Sequence, residues 1–256
     1  MALRHSSVMD RAAFFRTSET LLIVTHSYGT GLLEQGFSKF SMNGRAIDVR
    51  YLTVPSATYE TFTEEMRYWQ QIKQHRPDYV LVILGGNVVG SDRSREQMKS
   101  QAQEFYRQMR FHLPRCTIIA SQVEMRWYTE GNIYAAPTEI QYRRDRNMLN
   151  NYIQRQIQEK DYMLSIAGEG RLDCQEFYSV SANGRIHMTP QGYEMYIREI
   201  VKIINFIHVE IGNRYDRIIA REEQQQENRR KREMQALDRL DRKCKDGKRH
   251  DRYHPY

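Results

Sequence analysis

The chain has 256 residues and a formal net charge of +7 at pH 7, with 39 Lys and Arg against 32 Asp and Glu. This length suits one α/β domain with a sizeable core and an appendage. The positive charge is concentrated at the end, because residues 213–256 hold 14 Lys and Arg but only 9 Asp and Glu. The nearly neutral remainder, residues 1–212, argues against a broad basic platform for nucleic acid.

Cysteine spacing and hydropathy narrow the class of protein further. The three cysteines, Cys116, Cys174 and Cys244, are far apart and form no C-x-x-C pair, which argues against a disulfide framework and a zinc site. Residues 1–20 contain no apolar stretch long enough for a signal peptide, and no later run approaches the roughly 20 apolar residues of a membrane span. We expect a soluble, intracellular protein of the cytoplasm or nucleus, not secreted, without metal or organic cofactor.

The first part of the chain predicts two strands and a helix. Residues 21–24 form a short, continuous apolar run, which is typical of a strand buried on both faces. A second strand is predicted over 47–54, before Pro55. Residues 59–76 repeat apolar side chains at spacings of four, three and three, which predicts one helix. These side chains are Phe62, Met66, Trp69 and Ile72.

The remainder of the body alternates strands and helices. Strands are predicted over 79–84, 117–120 and 162–166. Helices are predicted over 95–111, 138–160 and 190–210. The long loop 121–137 is aromatic and is predicted to form one wall of a crevice, through Trp127, Tyr128 and Tyr134. The alternation predicts a three-layer α/β/α domain with a parallel sheet over residues 18–212.

From residue 214 onward the sequence is rich in Arg, Glu, Gln and Lys and poor in apolar side chains, so it cannot bury itself against a core. We predict a charged tail over 213–256 that is helical and becomes disordered from Lys245. Glu227 and Lys231 are four residues apart and stabilise such a helix locally. A solvated appendage is favoured over an arm that binds RNA or a partner.

Three short motifs follow predicted strand ends or precede the last helix. They are THSYG at 25–29, GGN at 85–87 and HMTPQGY at 187–193. Because residues past the carboxyl ends of parallel strands converge on one crevice, Ser27, Asn87 and His187 are candidates for a nucleophile, an oxyanion donor and a base. Taken singly, Ser27 suits a helix N-cap, Asn87 a turn and His187 a loop, and only their joint occurrence favours a hydrolase site.

These motifs resemble those of the SGNH or GDSL-type hydrolases over about residues 18–208. The stretch 25–31 resembles the first block of that family, 85–88 the third, and 184–187 the last, with Gly192 beyond. The resemblance implies a flavodoxin-like α/β fold and an esterase, lipase, thioesterase or deacetylase activity. It also implies that Ser27 is the nucleophile and that the oxyanion is held by the amides of Ser27 and Ser56 and by the side chain of Asn87.

The chain departs from the family pattern at four positions. His26 stands where the family has the Asp before the nucleophile, and Val88 where it has the Asp after the block-three Asn. Ser56 replaces the glycine of the second block, and Gly184 replaces the triad Asp. The candidates for a substitute third member are Asn183, Asp173, Glu176 or a backbone carbonyl. His26 is either an exposed turn residue, which we favour, or a group that hydrogen-bonds near Ser27.

The resemblance implies a divergent serine hydrolase that acts on an acyl ester, either a small molecule or an acylated polymer. One alternative is an inactive pseudo-enzyme that binds RNA or protein, since a domain of the insect germ-plasm protein Oskar is similar to this fold and binds RNA. Another is an esterase-like protein of a mobile element whose basic tail binds nucleic acid. The candidate phosphate contacts are Arg143, Arg144, Arg146, Arg229, Arg230, Lys231 and Arg232.

Overall fold

The computed structural model of the chain describes residues 18–42, 44–89, 91–126, 138–157, 161–165, 172, 174–181 and 184–250. The chain divides into two compact units, Met1–Ile203 and Ile204–Tyr256. The predicted boundary at residue 212 therefore lies within the second unit.

A six-stranded sheet forms the centre of the first unit, in the strand order β2-β3-β1-β4-β5-β6. All neighbouring strands are parallel except β2, which pairs antiparallel with β3. The strands are β1 (Ser18–Thr25), β2 (Lys39–Met42), β3 (Arg45–Thr53), β4 (Tyr79–Ile83), β5 (Thr117–Ser121) and β6 (Tyr162–Leu164). The predicted parallel sheet is confirmed, whereas the antiparallel edge strand β2 was not predicted, because four residues of mixed polarity carry little periodic signal.

Helices cover both faces of this sheet. They are α1 (Tyr28–Glu34), α2 (Tyr59–Glu64), α3 (Met66–Gln74), α4 (Gly86–Val89), α5 (Arg95–His112), α6 (Glu139–Gln156) and α7 (Pro190–His250). On one face, Leu22 and Val24 of β1 join an apolar cluster with side chains of α2, α3, α5 and α6. Leu21 and Ile23, which point to the opposite face, are fully buried as well. Burial on both sides explains the continuous apolar run of β1.

The single helix predicted over 59–76 is wrong, because the structure has two helices separated by Glu65. The backbone of Glu65 is extended, with φ of −112° and ψ of 101°. The helical phase therefore changes between α2 and α3, and Met66 is 61% exposed instead of buried with Phe62 and Trp69. An apolar period continues across such a break without revealing it.

The region before α7 contains a hairpin that the sequence did not predict. Strands β7 (Tyr178–Ser181) and β8 (Gly184–Met188) pair antiparallel, and the pairing register shifts between Val180 and Tyr178. One extra residue lies on β8 at this shift, between Arg185 and Met188. Such irregularities redirect side chains locally.

Helix α7 is continuous where a break was predicted near residue 210. It passes through Gly212 and ends at His250, because one glycine costs a helix only about 1 kcal/mol and no proline intervenes. Lys231 Nζ lies 2.7 Å from Glu227 Oε1, which confirms the predicted pair. Residues 251–256 lie outside the described residues. None of the described helices is long and apolar enough to cross a membrane.

Candidate active site

Ser27 lies in the turn between β1 and α1, at the carboxyl edge of the central strand. It is half-buried, with φ of −55° and ψ of −19°. Ser27 occupies the N-cap position of α1, but its side chain makes no capping hydrogen bond to the helix. The next glycine, Gly29, lies so close to Thr53 of β3 that a Cβ atom there overlaps the threonine side chain. The glycine thus lets the turn that carries Ser27 lie against the end of β3.

His26 is fully buried and faces the hydroxyl of Ser27. Its Nδ1 atom lies 3.4 Å from Ser27 Oγ, so the favoured prediction of an exposed turn residue is wrong. Its other ring nitrogen, Nε2, is buried and has no hydrogen-bond partner among the described residues. Burial, followed by the positive charge of Arg126 and by His187, holds the pKa of His26 well below its usual range. The ring is therefore neutral at physiological pH.

Ser56 lies in the turn after β3, and its backbone adopts the left-handed region with φ of 56°. The turn is closed by the Ala57 amide, which donates to the Val54 carbonyl at 3.1 Å. It is held beside β1 because the Val54 amide donates to the Thr25 carbonyl at 2.9 Å. The chain therefore keeps a left-handed turn at Ser56, a conformation that favours glycine.

This strained residue leads to a stability prediction. Ser56→Gly is expected to raise the free energy of unfolding by roughly 0.5–1 kcal/mol, because glycine adopts a positive φ without the steric cost of a Cβ atom. Urea denaturation measures the difference. Ser56→Ala is the control, since it removes the hydroxyl but keeps the Cβ atom. A gain in Ser56→Ala equal to that in Ser56→Gly contradicts the conformational explanation.

Asn87 follows β4 and belongs to the short helix α4. Its Nδ2 atom donates to the Ala57 carbonyl at 3.1 Å, and its Oδ1 atom accepts from Arg126 Nη2 at 3.0 Å. The preceding Gly85 has φ of 108°, a value that favours glycine. The hydrogen bond to Ala57 brings the side-chain amide of Asn87 next to the turn that contains Ser56.

His187 lies on β8, at the register shift of the hairpin. Its ring centroid is 5.7 Å from that of Tyr28, the buried residue that follows Ser27. His187 is exposed at the surface, yet partial burial and then the charge of Arg126 lower its pKa. Tyr28 also packs against His26, with ring centroids 4.9 Å apart. The tertiary structure thus brings the first and last sequence blocks together through one tyrosine.

The carboxylate that the triad requires has no described counterpart at His187. Among the described residues, no carboxylate makes a hydrogen bond or ion pair with His187, and Glu176 is exposed without such a contact. Two other candidates for the third member, Asp173 and Asn183, lie outside the described residues. The predicted aromatic wall, with Trp127, Tyr128 and Tyr134, also lies outside them.

Two charged residues beside this site were missed by the sequence reasoning. Glu124 and Arg126 follow β5, and both are buried, at 0% and 6% exposure. Burial raises the pKa of Glu124 from 4.5 to about 7, against the opposing charges of Arg126 and Arg146. The signal was available, because both residues follow the carboxyl end of a parallel strand, as Ser27 and Asn87 do.

The arginines predicted to contact phosphates occupy different environments. Arg146 is buried and donates through Nε to the Val123 carbonyl at 2.6 Å, so its predicted role at the surface is wrong. Arg143 is exposed and pairs with Glu139 at 3.0 Å, and Arg144 is exposed. The tail residues Arg229, Arg230, Lys231 and Arg232 are all exposed on α7. Within the described residues, no group of three His, Cys, Asp or Glu side chains is placed to hold a metal ion.

The arrangement places the Ser27 hydroxyl, the His26 imidazole and the Asn87 amide at the carboxyl edge of the sheet. His187 packs against Tyr28, and among the described residues no hydrogen bond joins its ring to the Ser27 hydroxyl. An imidazole with a lowered pKa is unprotonated at neutral pH and can accept a proton. The amide of Asn87 and the backbone of the Ser56 turn are adjacent, and such neighbouring N–H groups can stabilise a developing oxyanion. This combination is suited to acyl transfer.

Comparisons with known proteins agree with this geometry. The model of the GDSL-like lipase/acylhydrolase family matches residues 25–195. Similar solved structures include a GDSL-like lipase from Bacteroides thetaiotaomicron, at 12% identity and a TM-score of 0.54, with 78% of this chain and 96% of that chain covered. A lipase/acylhydrolase from Enterococcus faecalis has 15% identity and a TM-score of 0.52, with coverages of 73% and 95%.

A third similar structure is the acetyl xylan esterase AlAXEase, at 10% identity and a TM-score of 0.51, with coverages of 72% and 99%. At such identities these likenesses concern the fold alone. No curated protein sequence matches the chain. Because the family model covers well over half of its length, this chain belongs to the GDSL-like lipase/acylhydrolase family.

Proposed function

We propose that the chain hydrolyses an acyl ester with Ser27 as nucleophile and His187 as general base. The observation that carries this proposal is the hydrogen bonding between strand ends. The Val54 amide bonds to the Thr25 carbonyl, and Asn87 Nδ2 bonds to the Ala57 carbonyl. These bonds join the segments that carry Ser27, Ser56 and Asn87, so the proposed nucleophile and oxyanion donors are close together. The proposed base, His187, packs against Tyr28, the residue that follows Ser27.

The reaction proceeds in two steps. Ser27 Oγ attacks the ester carbonyl while His187 accepts its proton, and the negative charge moves to the carbonyl oxygen. The amides of Ser27 and Ser56 and the Nδ2 group of Asn87 donate to that oxygen. His187 then returns the proton to the leaving alcohol, and an acyl-serine remains. A water molecule, deprotonated by the same imidazole, hydrolyses the acyl-serine and regenerates Ser27.

At His187, the proposed chemistry differs from that of an enzyme with a complete triad. A triad carboxylate orients the imidazole and stabilises the imidazolium that forms during attack. Here partial burial and, after it, the nearby cation Arg126 lower the pKa of His187 and so disfavour the imidazolium. We therefore expect slower turnover than in an enzyme with a complete triad, by orders of magnitude.

His26 has a role in this scheme that its buried position supports. We assign the tautomer with the proton on Nδ1, because it leaves the buried Nε2 as a bare acceptor rather than an unpaired N–H donor. Nδ1 then donates to Ser27 Oγ at 3.4 Å. This bond orients the serine oxygen and leaves its own proton available for transfer to His187.

Substitution of His26 tests this role. His26→Leu is expected to lower kcat/KM about three- to tenfold, which is the worth of one neutral hydrogen bond. His26→Asn is expected to retain most of the activity, because an asparagine side-chain N–H can donate from a similar position. The measurement is kcat/KM for a short-chain aryl ester. Equal losses in both variants contradict a role for the donated hydrogen bond.

Covalent labelling tests the proposed function directly. A fluorophosphonate probe is expected to label the wild-type chain, because Ser27 Oγ bonds to phosphorus, fluoride leaves and the serine proton passes to His187. Ser27→Ala is expected to abolish labelling, whereas Ser56→Ala keeps it, because only the backbone amide of Ser56 takes part. Mass spectrometry of the labelled peptide identifies the modified residue. Absence of labelling in a folded wild-type protein overturns the proposal.

The lack of a carboxylate beside His187 among the described residues favours a second candidate function. No described carboxylate supports the imidazole, as expected of a hydrolase fold that has become a binding protein. Exposed basic side chains at 229–232 of α7 then supply contacts for RNA. This candidate predicts no labelling, and RNA binding that falls steeply with salt and is lost when Arg229, Arg230, Lys231 and Arg232 are replaced by glutamine.

A further inference from the structure

Arg126 makes a specific contact with the candidate oxyanion donor. The residue follows β5 by five positions and is 6% exposed. Its Nη2 atom donates to Asn87 Oδ1 at 3.0 Å, and the opposite side of the same amide donates to the Ala57 carbonyl at 3.1 Å. The side-chain amide of Asn87 is thus held on both sides by groups from different segments of the fold.

We infer that Arg126 is a positioning residue that fixes the Asn87 side-chain amide for oxyanion stabilisation. This inference rests on the proposed function, and it assigns the orientation of the oxyanion donor to a residue outside the family motifs. Arg126 acts through Asn87 and need not touch the substrate.

The chemistry of the two partners allows only one orientation of the amide. A guanidinium donates hydrogen bonds and accepts none, so it can face only the Oδ1 atom of Asn87. A backbone carbonyl accepts hydrogen bonds and donates none, so Ala57 can face only Nδ2. In a flipped amide, Nδ2 faces the Arg126 guanidinium, which places two donors together. Its Oδ1 atom then faces the Ala57 carbonyl, which places two acceptors together. The observed orientation leaves the second Nδ2 hydrogen for an ester oxygen.

Gly86 makes room for the guanidinium next to Asn87. A Cβ atom at Gly86 lies 2.5 Å from Arg126 Nη2 and 2.9 Å from its Cζ atom, which is closer than real contacts allow. The φ angle of Gly86 is not positive, so the requirement at this position is space rather than an unusual backbone conformation. Gly86→Ala therefore displaces the guanidinium, while Ser27, Asn87 and Arg126 all keep their native side chains.

The charge of Arg126 adds to its positional effect. Burial is the larger cause of the lowered pKa of His26 and of His187, and the charge of the guanidinium lowers both further, so its field reaches both imidazoles. A fixed cation behind the Asn87 carbonyl polarises the amide and strengthens its N–H groups as donors. Replacing the residue with the shorter, uncharged glutamine therefore removes both the anchor of the Asn87 amide and the polarisation of that amide.

Steady-state kinetics of a short-chain aryl ester tests the inference. Arg126→Gln and Gly86→Ala are each expected to lower kcat roughly ten- to hundredfold with little change in KM, because the donor is displaced rather than deleted. Arg126→Lys is expected to recover part of the loss, since an ammonium group also donates to Oδ1. Arg155→Gln, which removes an exposed positive charge in the last turn of α6, is the control and is expected to behave as wild type.

Two further measurements separate positioning from general damage. The double variant Asn87→Ala/Arg126→Gln is expected to be no slower than Asn87→Ala alone, because Arg126 has nothing left to position. In nitrogen-15 NMR spectra, the Asn87 side-chain amide is expected to lose protection from hydrogen exchange in Arg126→Gln and in Gly86→Ala. Multiplicative losses in the double variant, or unchanged protection of the amide, overturn the inference.

Failure of the proposed function has a different signature. In that case the wild-type protein lacks turnover that depends on Ser27, while the NMR measurement still reports whether Arg126 orders the amide. Turnover that depends on Ser27 together with wild-type kcat in both Arg126→Gln and Gly86→Ala contradicts the inference alone. If Arg126→Gln fails to fold because it removes a buried arginine, Gly86→Ala still tests the inference, since this variant keeps Arg126.

Discussion

Replacement of Ser27 by alanine is expected to reduce ester turnover by at least about a thousandfold, to the residual rate that the oxyanion donors and substrate binding sustain without the nucleophile. The reason is that every step of the scheme passes through a bond to Ser27 Oγ. The backbone at residue 27 is ordinary right-handed α, with φ of −55°, so alanine fits without strain. Burst and steady-state kinetics with a short-chain aryl ester measure the loss.

Imidazole groups also react slowly with activated esters, so a control is needed for His26 and His187. His187→Ala is expected to lose most of the turnover, but Ser27→Ala/His187→Ala is expected to be no slower than the slower single variant, because the two groups act as one unit. Additive losses indicate independent reactions of the two side chains with the ester. Ser27→Ala with wild-type turnover disproves serine catalysis, whatever the behaviour of His187.

Glu124→Gln is expected to stabilise the protein at pH 8 by on the order of 2–3 kcal/mol. The carboxyl group is fully buried, and the hydrogen bond that Tyr196 donates to its Oε1 atom is long, at 3.5 Å. Its Oε2 atom has no hydrogen-bond partner among the described residues. Burial therefore raises the pKa of Glu124 from 4.5 to about 7. Glutamine has the shape of the protonated acid and carries no charge into the core.

The size of this stabilisation depends on pH. Because the folded pKa lies above the unfolded value, the folded state binds more protons between about pH 4.5 and 7, and stability falls as pH rises through this window. The variant and wild type are thus expected to be nearly equal at pH 4 and to diverge up to pH 8. Urea denaturation at both pH values measures the difference.

A surface substitution separates burial from the general loss of a negative charge. Glu64→Gln removes an exposed carboxylate and is expected to change the free energy of unfolding by less than about 0.5 kcal/mol at either pH. A gain from Glu124→Gln that is the same at pH 4 and pH 8 contradicts the assignment of the effect to a buried charge.

The strands of the sheet were largely predictable because burial on both faces produces unbroken apolar runs. The runs at 21–24 and 79–84 correspond to β1 and β4, and the alternation with helices implied their parallel pairing. Elements whose residues have mixed polarity were not found, namely β2, β7 and β8. Their pairing depends on partners elsewhere in the fold, which local periodicity does not encode.

The candidate site was predictable to the extent that it follows strand ends. Ser27 and Asn87 were identified because parallel strands direct their carboxyl ends to one crevice. His26 was predicted at the surface, because a histidine in a turn is usually exposed, and its burial depends on Tyr28 packing against its ring. Arg126 lies in the loop predicted to be aromatic. Its place after β5 indicates the site, but nothing local predicts its contact with an asparagine 39 residues away.

The sequence by itself determined the fold class and the residues that the strand ends present, since both follow from local patterns of burial and from short motifs. Only the tertiary structure decided which groups act on those residues. Contacts such as those from Arg126 to Asn87 and from His26 to Ser27 depend on the placement of whole segments, and the pKa of Glu124 on its complete enclosure. Electrostatic and hydrogen-bond energies vary with distance and burial in three dimensions, so one-dimensional spacing leaves them undetermined.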